Sequence, residues 1–468
     1  MLKQAESMLK WAIEKDNYTT SEKIGLNDYR HVHESLGIGF IALEDIKEDE
    51  KLVSFKKDSV LCLTNSDLAQ LPEVQSLPSW AALLLVMATE NASPNSFWRP
   101  YLSIFPTKER ITSPFYWDEN KKDALLRGTV LESNEDCNEI TQLWIDRIEP
   151  IIKLYPNRFS QVSYEDFLRM SAVMLAYSFD IEKTKSPISN ENEKSAAETS
   201  IKEDKNGDAA KKNEGSANQD DEKLHSQSLV GNNCEVNSED EFSDLESEVD
   251  PDELEKAMCP ISDMFNGDDE LCNIRLYDIN GTLTMIATRD IKKGEQLWNT
   301  YGELDNSELF RKYGFTKKKG TPHDFVLIKK EHWLPEYIEK LGFEEVEARL
   351  ELLCREELLY NLEGDFTFSK ADLTFKEICL AFVLMEKEKE LISVPSKSDI
   401  KPKHYRKLLK IIEKRINMYP KISDPKNFDE ENAKTLIEGE IDILQNLSAK
   451  VKEALTKNRP KKKQKVDH

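Results

Sequence analysis

An α+β fold is what this chain of 468 residues predicts, with short sheets near the N-terminus and in the middle, an inserted helical region between them, and an all-α C-terminal domain. Three observations carry the prediction. Leu36-Gly37-Ile38-Gly39-Phe40 and Lys51-Leu-Val-Ser-Phe55 alternate like short strands around a Gly-x-Gly turn. Residues 271–289 read as a hairpin turning at Asn280-Gly281. Past residue 325, apolar positions recur at three- and four-residue intervals beside charged faces.

In chain order, residues 1–22 hold an amphipathic helix with Leu2, Ala5, Met8, Leu9, Ala12 and Ile13 at helical spacing. Lys3, Glu6 and Lys10 within that pattern argue against a signal peptide or a membrane span. The strand-bearing domain covers 23–322 and is interrupted twice. The inserted helical region is about 66–181: 79–90 and 138–155 read as buried helices, Phe97-Trp98-Arg99-Pro100-Tyr101 as an aromatic-basic cluster, and 164–181 as a further helix. Residues 182–256 are Ser, Asn, Glu, Asp and Lys with almost no aromatics. They cannot bury enough apolar surface to fold, so a disordered acidic insertion is expected. Order resumes over 257–322. A separate helical domain over 323–457 is built from helices near 343–360, 374–392, 404–417 and 429–457. A tail over 458–468 closes the chain.

Composition narrows the function. The net charge of −23 disfavours duplex nucleic acid, whose binding rests on Lys and Arg, and favours a basic partner. The seven cysteines show no Cys-x-x-Cys spacing, so neither a disulfide framework nor a zinc site is expected. No stretch is apolar enough to suggest a membrane span. Arg459, Lys461, Lys462, Lys463 and Lys465 form a basic cluster of the kind import receptors read, which points to the nucleus.

The chemistry concentrates in Pro260-Ile-Ser-Asp-Met-Phe-Asn266-Gly267, Asn299-Thr-Tyr301-Gly302 and Lys312-Tyr313-Gly314-Phe315. These stretches are too polar and too broken by glycine for plain core. Glycine lets backbone approach a ligand closely, and buried tyrosine hydroxyls need partners. There is no phosphate-binding loop, no HExxH and no GxSxG, and the Gly-x-Gly turn lacks the third glycine of a dinucleotide site.

The ordered set LGIGF, FWRPY, MLAYSF, PISDMFNG, CNIRLY, KKGEQLWNTYGELDN and YGF resembles the SET-domain lysine methyltransferases. The subgroup is that of the Rubisco large-subunit methyltransferase. The resemblance covers nearly the whole chain. It implies a SET β-fold with a pseudoknot, a C-terminal helical substrate-binding domain, and S-adenosyl-L-methionine as cofactor, with no metal. Leu36, Gly37 and Ile38 match backbone that lies along the cofactor. Asn266 and Gly267 match the family's Asn-His pair, Tyr313 a tyrosine packing at the cofactor, and Tyr177 another cofactor contact. Tyr301 matches the active-site tyrosine, and Trp98, Ser178 and Asp180 fall where relatives line the peptide groove. Gly267 departs from the usual histidine, which puts cofactor affinity in question.

Fungal ribosomal-protein methyltransferases share the Ala-Tyr-Ser-Phe variant at 176–179. This implies a monomeric enzyme acting on a basic non-histone protein, a 60S ribosomal protein and in particular protein 42 of the large subunit. The competing readings are a SET fold that has lost catalysis and only binds, or a methyltransferase acting on histone tails or on histidine.

Overall fold

The computed structural model describes residues 1–15, 18–32, 36–133, 135–183, 227–229, 254–356, 364–388 and 393–457. The chain divides into two compact units, Met1–Lys108 with Glu139–Gly302, and Glu109–Asn138 with Glu303–His468. The basic tail and all of the acidic insertion between 184 and 253 except 227–229 lie outside the described residues. The division falls at Gly302 rather than at 322, and it takes 109–138 out of the expected helical insertion.

The first unit opens with α1 (Leu2–Glu14), whose Ala5, Met8 and Ala12 are buried as the spacing predicts. A five-stranded antiparallel sheet runs in the order β1 (Tyr18–Thr20), β4 (Lys51–Lys56), β9 (Thr282–Ala287), β8 (Ile274–Ile279), β6 (Gln227–Leu229). The β8–β9 hairpin turns at Asn280 and Gly281, with φ of 52° and 79°. Both residues are left-handed, as a two-residue turn matched to strand twist requires. A smaller sheet sets β3 (Ile38–Ala42) between β2 (Ile24–Asp28) and β10 (Gln296–Leu297). Helix α2 (Ser79–Ala92) is buried continuously from Ala81 to Ala88, because it is apolar on every face and serves as core.

Three local expectations change. The helix expected over 164–181 stops at Tyr177 as α3 (Tyr164–Tyr177), and β5 (Ser178–Glu182) continues from it. There Phe179 and Ile181 are buried, and the strand pairs antiparallel with β7 (Leu254–Met258), from Ser178↔Met258 to Glu182↔Leu254. Cross-strand pairing outweighs helical propensity, so residues 182 and 254–256, assigned to the insertion, form the closed base of it. The short strand β6 within the insertion likewise pairs with β8, so the insertion contributes to the sheet. The helix expected over 138–155 is present and runs without interruption from Glu135 to Leu154, but it widens to a π-helical turn over Trp144–Ile148. Pro150 has no N–H to complete a regular ladder, and Ile145 and Leu154 stay exposed rather than buried.

The second unit is mainly helical: α4 (Asn306–Tyr313), α5 (Phe343–Arg355), α6 (Lys376–Met385), α7 (Pro402–Ile416) and α8 (Phe428–Lys457). It also contains a two-stranded ladder, β11 (Phe325–Ile328) with β12 (Phe366–Ser369), that an all-α reading omits. Both strands alternate a more buried with a less buried side chain, the pattern of a short strand rather than a helix. Buried Trp333 meets Tyr337, Phe366 and Phe382 in the core. On α8, Asn432 accepts from the Thr316 N–H at 2.8 Å, and Glu440 accepts from the Val130 N–H at 3.0 Å, the latter tying 109–138 to the helices. Among the described residues, no helix is long and apolar enough to cross a membrane.

Gly314 ends α4 in the left-handed region, φ 75°, and a Cβ there would lie 2.1 Å from Thr112 Oγ1 and 2.9 Å from the Ser113 nitrogen. Gly314→Ala combines a strained backbone with a clash against that backbone, and it is expected to cost about 2–3 kcal/mol of stability. Thermal unfolding checks this; an unchanged midpoint contradicts the packing described.

Candidate active site

The motif at 260–267 is placed by a left-handed turn. Ile261 is fully buried with φ 71°, a conformation strained for a β-branched residue. It swings the chain out of β7 into the turn Ser262–Met264, and the chain then extends to Asn266 and Gly267. Phe265 anchors this segment on β3, its ring stacked on Phe40 at 4.3 Å.

The segment then meets the one leading to Tyr301. Gly267 bridges Asn299 in parallel, the Asn299 N–H donates to the Asn266 carbonyl at 2.9 Å, and the Asp268 N–H donates to the Asn299 carbonyl at 2.9 Å. Fully buried Asn273 fixes the approach, donating to the Gln296 carbonyl at 3.0 Å and accepting from the Trp298 N–H at 2.8 Å. After Tyr301 the chain turns at Gly302, φ 92°, with its N–H on Thr300 Oγ1 at 2.9 Å.

This crossing explains Gly267. A Cβ there would lie 2.4–2.5 Å from three ring carbons of Tyr301, so the ring packs directly on the bare Cα. The Tyr301 hydroxyl is pushed up to about 12 by burial, against a hydrogen bond from the Gly267 backbone that pulls it down. Tyr177, at the end of α3, also faces Tyr301; burial pushes its hydroxyl up, and the charges of Tyr301 and Asp263 add to this. Its ring lies 5.6 Å from that of Phe105.

Asn266 sits against the Gly-x-Gly turn. A Cβ on Gly39 would fall 2.6 Å from Asn266 Nδ2 and 3.2 Å from Gln296 Nε2, so only glycine admits the two amides. Both amide nitrogens are buried without a hydrogen-bond partner. Gly37 is left-handed, φ 58°, with open space where a Cβ would be, and its carbonyl accepts from the Tyr29 N–H at 2.8 Å. Leu36 and Ile38 flank it, half-buried.

The remaining predicted residues lie further out. Half-buried Trp98 packs with Trp11 of α1, Phe97 and Tyr101, at ring separations of 6.0, 5.3 and 6.3 Å. Ser178 is buried at the start of β5, and Asp180 pairs with Lys256 across the β5–β7 ladder at 2.6 Å. Tyr313 belongs to the second unit, half-buried on the last turn of α4, its ring 6.5 Å from Phe315. Among the described residues, no three His, Cys, Asp or Glu are placed to hold a metal.

Sequence reading missed Gly39, Gln296 and Asp263. Asp263 accepts a hydrogen bond from the Tyr101 hydroxyl. One charged residue inside the apolar run Pro260–Phe265 was the signal available for it. Gly39 was visible only as part of a common turn.

An antiparallel core crossed by a parallel bridge, with glycines at 37, 39 and 267 and a half-buried tyrosine ring against the last of them, defines a fold and site that the SET domain matches over residues 37–302; the chain belongs to the SET-domain family. It is similar to "Ribosomal lysine N-methyltransferase 4" of Saccharomyces cerevisiae, 28% identical over 338 residues, covering 69% of this chain and 57% of that protein. It is similar also to "N-lysine methyltransferase setd6" of Salmo salar, 26% identical over 365 residues, covering 73% of this chain and 68% of that protein. The chain thus spans little more than half of the yeast relative. Among solved structures, the SET domain of LSMT bound to MeLysine and AdoHcy superposes with a TM-score of 0.62, covering 97% of this chain and 92% of that one at 14% identity. Rubisco LSMT bound to AdoMet gives 0.59 over the same shares at 15% identity. At that identity the likeness establishes the fold.

Gly267→Ala is expected to drive the Tyr301 ring off the Cα and into solvent. Carbon-13 NMR of ring-labelled tyrosine reads this: the Tyr301 hydroxyl, which burial pushes up to about 12 in the wild type, is expected to fall toward the free value of about 10 in the variant. An unmoved titration contradicts the packing.

Proposed function

We propose that this chain is an S-adenosyl-L-methionine-dependent protein-lysine N-methyltransferase. One observation carries the reading: in a SET-domain chain, the glycine turn at 37–39 meets the partnerless amide of Asn266 at Gly39, and the adjacent Gly267 meets the ring of Tyr301. The residues fit the cofactor. Gly37 leaves room that a side chain would fill, and a buried amide nitrogen lacking a partner is a hydrogen-bond donor in wait.

In this reading Leu36, Gly37 and Ile38 offer backbone along the cofactor, Asn266 donates to it, and Gly267, Tyr177 and Tyr313 complete its surroundings, Tyr313 by motif alone. When bound, the cofactor supplies a methyl already activated on a sulfonium. The protein must present a neutral amine to it. A free lysine near pKa 10.4 is mostly charged at neutral pH, and neutralising it costs roughly 4–5 kcal/mol. A poorly hydrated site lowers that cost, because desolvation disfavours ammonium. Tyr301 keeps its own proton throughout the neutral range, so it serves as a hydrogen-bonding group that orients the amine and not as a base. Trp98, Ser178 and Asp180 are assigned to the peptide groove, and the helical domain to holding the substrate protein.

The substrate we assign is a basic ribosomal protein. The yeast relative's name and the net charge of −23 support it, and the motif resemblance extends it to protein 42 of the 60S subunit. The reading as a binding module rested on the missing histidine at 267, and the Tyr301 ring accounts for that glycine on steric grounds. The basic cluster from Arg459 to Lys465 supports import-receptor binding and nuclear location.

Purified protein with labelled cofactor is expected to label a lysine of a ribosomal protein in an extract; no labelled band contradicts the proposal. Tyr301→Phe is expected to lower transfer roughly a hundredfold with cofactor binding retained. Asn266→Ala is expected to weaken cofactor binding about tenfold by calorimetry, the loss of one buried hydrogen bond. Replacing Lys461, Lys462, Lys463 and Lys465 by alanine is expected to abolish nuclear accumulation of a fluorescent fusion; unchanged accumulation contradicts the import assignment.

A further inference from the structure

One ionisable group, the half-buried Asp263, has no part in that chemistry. Asp263 accepts a hydrogen bond from Tyr101 on one oxygen, while its Oδ1 is shut off from solvent without a partner. Five side chains from five segments lie within its electrostatic reach, Tyr101 in the turn Arg99–Leu102 by direct hydrogen bond: Tyr18 on β1, Tyr101, Tyr177 at the end of α3, Cys259 after β7, and Tyr301 after β10. Burial pushes each of these hydroxyls and the thiol above its ordinary range, so all are neutral near pH 7. Among the described residues this set contains no cation. An anion with one oxygen cut off from solvent and only neutral groups facing it is costly unless a positive charge arrives to balance it.

We propose that Asp263 is a positioning residue, the counter-charge for the positive charge that methyl transfer carries through the Tyr177–Tyr301 site. The inference rests on the proposed function. In the transfer a sulfur–carbon bond breaks and a nitrogen–carbon bond forms, so one positive charge leaves sulfur and appears on nitrogen. An anion within electrostatic reach of Tyr177 and Tyr301, the residues assigned to that site, attracts this charge at either atom. Burial pushes the Asp263 carboxyl up to about 7, against the Tyr101 hydrogen bond that pulls it down. A carboxyl raised in the folded state makes its contribution to stability at low pH and loses it as pH rises to about 7. Ionised Asp263 therefore works against folding unless a cation binds.

The test compares S-adenosylmethionine with S-adenosylhomocysteine. The two share their amino and carboxylate groups and differ in the methyl group that gives the sulfur its positive charge. Calorimetry between about pH 5.5 and 8.5 is expected to show wild-type preference for the sulfonium falling roughly tenfold as pH drops through about 7. Asp263→Asn is expected to show the low preference at every pH, and its unfolding midpoint above neutrality is expected to be no lower than wild type. Tyr101→Phe, which removes the bond that favours the ionised form, is expected to move the fall to higher pH; should Asp263→Asn not fold, that shift alone decides. A merely structural role weakens both ligands equally. Equal weakening, or a preference unchanged in both variants, overturns the inference and leaves the methyltransferase reading standing. Wild-type protein that binds neither ligand overturns both.

Discussion

The Tyr301 ring lies on the bare Cα of Gly267, and the candidate site depends on that contact. It is possible because the two segments run side by side through the Gly267–Asn299 bridge. That bridge in turn needs the left-handed turn at Ile261 and the stitching of the 296–298 segment by Asn273. A second close approach, Gly39 against the amides of Asn266 and Gln296, brings β3 to the other side of the same motif. Two missing side chains therefore let three distant segments meet. Each glycine gives up packing that a larger residue would supply, and the stacked Phe40–Phe265 pair beside them offsets part of the loss.

The electrostatics follow from the same enclosure. Tyr18, Tyr101, Tyr177 and Tyr301 are drawn around one carboxylate, and burial keeps every phenol neutral. Polar groups so arranged are poorly solvated but not charged, which favours a neutral amine over an ammonium. Asp263 is the exception, and its uncompensated oxygen gives the site a sense of charge that its tyrosines lack. The net charge of the whole chain acts at longer range and bears on which proteins approach, not on the chemistry.

Much of the architecture was legible in residue pattern. Asn280-Gly281 marks its hairpin because both positions must be left-handed, and the continuous apolar run of α2 marks a core helix because no face of it is polar. Strand β5 was not legible. Phe179 and Ile181 extend a helical pattern equally well, and only the partner strand more than seventy residues later decides between the two. The π-helical turn at 144–148 hid behind apolar periodicity, which takes no account of the N–H that Pro150 lacks. In the site, Asn266, Tyr301 and the Gly37 turn could be named from their motifs. Gly267 could be named but not understood, since the reason for it is the position of a ring thirty-four residues further on. Asp263 escaped because a lone acid in an apolar run gives no sign of the four tyrosines that surround it.

In the proposed enzyme the turn at Gly37, the amide of Asn266 and the hydroxyl of Tyr301 form one cofactor and methyl-transfer site. A crystal structure of the protein with S-adenosylhomocysteine tests it most directly. The account predicts density against the Gly37 backbone, a hydrogen bond from Asn266 Nδ2, and the Tyr301 hydroxyl facing the sulfur with its ring still on Gly267. Ligand bound elsewhere, or bound without contact to Asn266 and Tyr301, would contradict it.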